Sequence, residues 1–91
     1  MKTYELYRLG EDFVREFMIS IQSFQDVQEF VSIATVQPFR IVVGNSRYLV
    51  NAKSFMGMFS LDYSEPLQVR MRCTQEEFDH FREAADRFVV K

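Results

Sequence analysis

Leu67, Val69, Met71 and Cys73 alternate with Gln68, Arg70 and Arg72, and the next four residues read Thr74-Gln75-Glu76-Glu77. The first pattern has a period of two, so it predicts a strand with one apolar face. The second is a capping box: the threonine hydroxyl accepts from a first-turn N–H while the glutamate reaches back to the cap residue. A helix therefore starts where the strand ends. Phe78, Phe81, Ala85, Phe88 and Val89 recur at helical spacing and predict that this last helix runs to the C-terminus. A one-faced strand followed at once by a helix points to helices layered on one side of a sheet.

The rest of the chain repeats that logic. From Arg15 to Gln22, Phe17, Ile19 and Ile21 alternate with polar neighbours and predict a first strand. Ser23 is placed as an N-cap with Asp26 near the positive helix end, and Val27, Phe30, Val31 and Ala34 form one stripe of a helix over Phe24–Thr35. Gln37-Pro38 stops it. Phe39, Ile41 and Val43 predict a second strand, Gly44-Asn45-Ser46 a turn, and Tyr48–Val50 a short third strand. Ser54 is a second N-cap, before a helix of about two turns that must end by Asp62. Glu65-Pro66 breaks the chain before the Leu67–Cys73 strand. The order is β-α-β-β-α-β-α.

Composition narrows the function. A chain of 91 residues fits a single domain and hides only about 60–65% of its unfolded surface, so its core needs large side chains. Ten Phe, four Tyr and five Met supply them. A net charge of -2 argues against a nucleic-acid binder held by phosphate contacts. One Cys and one His provide neither a disulfide nor a structural metal site, and no cofactor motif is present. No apolar run reaches the roughly 18–20 residues of a membrane helix, which leads to the expectation of a cytoplasmic protein with no membrane partner. His80 is expected on the solvated side of the last helix and Cys73 in the core; Arg70, Arg72 and Lys53 make a modest basic element, read as a solvated sheet face in preference to an anion site.

One segment is more specific. Val50-Asn51-Ala52-Lys53-Ser54-Phe55-Met56-Gly57-Met58-Phe59-Ser60-Leu61 resembles the regulatory-serine segment of the HPr family, the phosphocarriers of the bacterial sugar phosphotransferase system. That family reads approximately V-N-x-K-S-I-M-G-[LIV]-M-S-L there. The resemblance implies an HPr-like open-faced β-sandwich over residues 13–91: a four-stranded antiparallel sheet with three helices on one face. Residues 1–12 are left as an N-terminal extension, in which Tyr4–Leu9 is expected to add a strand at the sheet edge.

The resemblance also implies that Ser54 matches the serine modified by HPr kinase/phosphorylase. Lys53, Phe55, Met56 and Phe59 then match residues through which the family docks other proteins. The family's phosphoacceptor loop, G-[LI]-H-A-R-P, has no counterpart. The junction here is Ser20-Ile21-Gln22-Ser23-Phe24-Gln25-Asp26-Val27, without His, Arg or Pro and a few residues shorter. Phosphoryl relay needs an imidazole nucleophile and donors around the phosphate, and Asp26 repels that phosphate. The resulting expectation is a non-catalytic, HPr-like module that binds another protein, a phosphotransferase-system or regulatory component. The alternative is a regulator phosphorylated on Ser54 that acts in carbon catabolite control, its phosphoserine form binding a transcriptional repressor.

Overall fold

Strand β4 (Leu67–Cys73) runs through the middle of a four-stranded antiparallel sheet in the computed structural model, which describes residues 13–91. The expected Tyr4–Leu9 strand lies outside the described residues. On one edge β4 pairs with β1 (Phe13–Ile19), and on the other with β2 (Ile41–Gly44), which pairs in turn with β3 (Leu49–Asn51). The sheet order is β1-β4-β2-β3. Three helices, α1 (Phe24–Thr35), α2 (Phe55–Phe59) and α3 (Gln75–Ala84), complete an α+β architecture.

The alternation in β4 decides which face is covered. Leu67, Val69, Met71 and Cys73 are all buried, as are Phe17 and Ile19 of β1 and Ile41 and Val43 of β2. Against them pack Val27, Phe30, Val31 and Ala34 of α1, Met58 of α2 and Phe81 of α3. Phe81 is the hub: its ring lies 5.7 Å from Phe17, 6.0 Å from Phe30 and 6.1 Å from Phe39, all tilted or edge-on. Such tilted pairs are favoured by the ring quadrupole, and burying a ring of this size contributes roughly 1.5–3 kcal/mol. Glu16, Arg70 and Arg72, on the opposite face, are exposed.

Several elements lie where expected. The Phe24–Thr35 helix starts at the Ser23 cap, whose hydroxyl accepts from the Asp26 N–H at 3.1 Å. Thr74 and Glu77 form the reciprocal capping box. The hairpin between β2 and β3 is closed by Asn45, whose side chain accepts from the Arg47 N–H at 2.8 Å, a local Asx turn. The third strand begins one residue later than expected because Tyr48 is spent closing this loop on Asn45.

Two expectations are corrected. The first strand ends at Ile19 rather than Gln22: Ile19, opposite Leu67, is the last residue paired with β4, and the Ser20 N–H beyond it is taken by the C-terminal segment instead. The last helix does not continue to the C-terminus. It ends at Ala84, a 3-10 turn follows over Asp86–Phe88, and Val89 bridges to Ile19. Ser20 donates to the Phe88 carbonyl at 2.8 Å and Val90 to the Met18 carbonyl at 2.9 Å. The extended chain end thus satisfies edge groups of β1 that a helix would leave bare.

Gly44, buried at the end of β2, allows this hairpin to close. A Cβ there would collide with the Tyr48 carbonyl oxygen and stand 2.9 Å from the Leu49 Cα, both backbone atoms that cannot rotate away. Gly44→Ala is expected to lower the unfolding free energy by about 1–3 kcal/mol in urea titration. An unchanged midpoint would show that the hairpin has room the geometry denies.

Candidate functional site

The turn Asn51–Ser54 launches α2. The Asn51 side chain accepts from the Lys53 N–H at 2.8 Å, and Ala52, fully buried, donates to the Ile41 carbonyl at 2.9 Å. Ser54 then caps the helix, accepting from the Gly57 N–H at 3.1 Å. A helix of five residues is too short to persist alone, so it depends on neighbours. Met58 is buried in the core, and the Tyr48 and Tyr63 hydroxyls donate to the Ser60 and Met58 carbonyls near the helix C-terminus. These are groups that a helix end leaves without intrahelical partners. Burial pushes the Tyr63 phenol up from its ordinary value, which keeps it a donor.

With Met58 inside and Phe59 half-buried against the core, Phe55 and Met56 turn outward. Met56 is 81% exposed and Phe55 42%. Phe59 stacks on Phe24 of α1 with centroids 4.7 Å apart and planes 16° apart, and Phe55 lies 6.2 Å from Phe59 at 25°. Phe24 itself is 62% exposed. Three roughly parallel rings therefore form one aromatic surface across the start of α1 and both ends of α2, with Met56 exposed on the same short helix. Phe24 was not among the residues expected here. Its signal was its place three residues before Val27, at the open end of the α1 stripe.

Lys53 lies just before the Ser54 cap. Its ammonium donates to the Gln37 carbonyl at 2.7 Å, beyond the C-terminal end of α1, whereas the stack is built on the N-terminal residue of that helix. Lys53 and the Phe59 ring lie at opposite ends of α2.

The β1–α1 junction is closed by the chain itself. The Gln22 N–H donates to Asp26 Oδ2 at 2.9 Å, reciprocating the Ser23–Asp26 bond. Arg87, from the C-terminal 3-10 turn, reaches Asp26 Oδ1 at 3.0 Å through Nη2 and Glu29 Oε2 at 3.0 Å through Nε. The backbone bond from Gln22, with help from the Arg87 guanidinium, holds the Asp26 carboxyl below its ordinary value despite partial burial. A carboxylate thus occupies the positive end of α1, with its own counter-ion. Arg87 is separated from Asp26 by 61 residues in sequence, which left it invisible to local pattern reading.

His80 is exposed on α3, in a groove that also presents Val36, Pro38 and Glu77. That groove follows the C-terminal end of α1, about one helix length, roughly 18 Å, from the Ser23–Asp26 turn. Cys73 is buried on the apolar face of β4. Among the described residues no cluster of three His, Cys, Asp or Glu is arranged to hold a metal ion, and no helix is long and apolar enough to cross a membrane. In sequence the chain matches no protein-family model, and no curated protein matches it.

The Asp26 cap has a pH signature. Its folded value lies below the 3.8 of the free group, so its contribution is complete above 3.8 and is lost as pH falls through the lower folded value. Asp26→Asn is expected to cost about 1 kcal/mol near neutral pH. The gap between the two proteins should close as pH falls below 3.8 in pH-resolved chemical denaturation. A gap independent of pH would assign the loss to packing rather than charge.

Proposed function

We propose that this chain is an HPr-like protein-binding module without a phosphohistidine relay, and that it docks another protein through Phe24, Phe55, Met56 and Phe59. The observation that carries this reading is the Phe24–Phe59–Phe55 stack, with Met56 exposed on the same short helix. Rigid rings lose little freedom on binding, and a flexible methionine adapts to the facing surface. The Val50–Leu61 resemblance supports the same choice, since it matches the family's docking segment on α2.

The junction between β1 and α1 supports the other half of the reading. Where the family carries its histidine, this chain has Ser23 and a carboxylate already satisfied by Gln22 and Arg87. A phosphoryl group brought there would have to displace Asp26 or face its charge.

The second reading is a regulator phosphorylated on Ser54 by HPr kinase/phosphorylase. It rests on the same segment. The capping bond to Gly57 gives Ser54 a structural duty that needs no modification, and it favours the first reading.

Enzyme I and HPr kinase/phosphorylase are the probes that the resemblance supplies. Adding either to the isotope-labelled chain is expected to shift amide signals at Phe24, Phe55, Met56 and Phe59. The double substitution Phe55→Ala, Met56→Ala should weaken that binding about tenfold or more. No response at these residues with either probe would defeat the docking reading. Incubation with the kinase and ATP should leave the intact mass unchanged, and a phosphoryl group on Ser54 would transfer the case to the second reading.

A further inference from the structure

The face of the sheet opposite the helices is divided into rows by the strand register. Its middle row is self-neutralised. Glu16 faces Arg70 across β1 and β4, with Arg70 Nε on the carboxylate at 2.8 Å and Gln68 Nε2 on the same oxygen at 3.1 Å. The adjoining row is different. Val14 faces Arg72, and one residue beyond the last paired position of β2, Arg40 falls opposite Arg72 on the other side. Neither Arg40 nor Arg72 has an acidic partner among the described residues, and like charges placed directly across a sheet repel. Val14, 54% exposed, and half-buried Val42 border the two guanidinium groups. The aliphatic stems of Arg40, Arg70 and Arg72, with Val14, Val42 and Met71, line a shallow, almost wholly apolar pocket of about 210 Å³ at the foot of these guanidinium groups.

We propose that this row binds an acidic segment of another polypeptide, with carboxylates on Arg40 and Arg72 and an apolar side chain against Val14 and Val42. Charge complementarity selects that occupant. Two guanidinium groups one strand apart donate to carboxylate oxygens in the geometry Arg favours, and binding offsets their mutual repulsion. Nucleic acid fits less well: the chain carries a net charge of -2, and no ring lines this pocket on which a base would stack. The aliphatic border gives a bare phosphate nothing to use. The surface lies across the sheet from the α2 ring stack, so the two proposals stand or fall separately.

The test uses the isotope-labelled full chain and a capped Glu-Leu-Glu-Leu-Glu peptide, with its all-Gln analogue and an oligothymidylate as competing probes. The acidic peptide is expected to shift the amides of Val14, Val42 and Arg72, more weakly as salt rises. Arg40→Gln and Arg72→Gln should each weaken this binding about twofold to fivefold. Both free variants should remain at least as stable as the parent, because a like-charge pair has been relieved. The proposal is overturned by equal response to the Gln peptide, by unchanged affinity in both variants, or by a loss of stability in R72Q, which would make that arginine structural. Tighter binding of the oligothymidylate overturns it too, as does concentration-dependent shifting of these amides without peptide, which would make the occupant a second copy of this chain.

Discussion

Because β4 pairs on both edges and sends its four apolar side chains to one side, the rest of the molecule has little freedom. Leu67, Val69, Met71 and Cys73 set the level of the core, and every helix contributes at least one fully buried residue to that side. The other side is mixed, with Arg70 held by Glu16, Arg72 facing Arg40, and Val14 and Met18 exposed beside them. A register slip of one residue in β4 would exchange the two faces, placing three polar side chains in the core. Both candidate surfaces follow from this asymmetry: the ring stack on the helical side and the arginine row on the open side.

The two ends of α1 show how short-range and long-range effects divide the work. At its start, Ser23, Asp26 and Gln22 form a reciprocal cap from residues within one turn, and Arg87 then fixes the carboxylate from the far end of the chain. Just past its other end, Gln37 gives its carbonyl to Lys53, which ties the start of α2 to the loop after α1. With α2 so held and Met58 anchored, Phe55 and Met56 project outward while Phe59 reaches Phe24. The exposed aromatic surface is a consequence of a helix too short to bury all its apolar residues.

What the sequence made legible is the part written in local chemistry. The Phe24–Thr35 stripe, the Ser23, Ser54 and Thr74 caps and the alternation of β4 are each set by neighbours within four residues, and each is found in place. That one or two of Phe55, Met56, Met58 and Phe59 must stay exposed is also readable, since so short a helix cannot turn all four inward; which ones do is not. The rest required partners distant in sequence. The end of β1 depends on the Phe88 carbonyl that takes the Ser20 N–H, the end of α3 on the edge groups of Met18 and Ser20, and the role of Phe24 on a ring in α2. Arg87 reads as an ordinary surface cation until the fold brings it to Asp26.

The central claim is that the turn before α1 is sealed by its own carboxylate and cannot serve as a phosphoryl-transfer site. Phosphoenolpyruvate, enzyme I and the intact chain, followed by mass measurement under conditions that preserve phosphohistidine, address it most directly. The account predicts the unmodified mass after times that fully phosphorylate an active phosphocarrier. Transfer of a phosphoryl group to the chain, on His80 or at the Ser23–Asp26 turn, would contradict it.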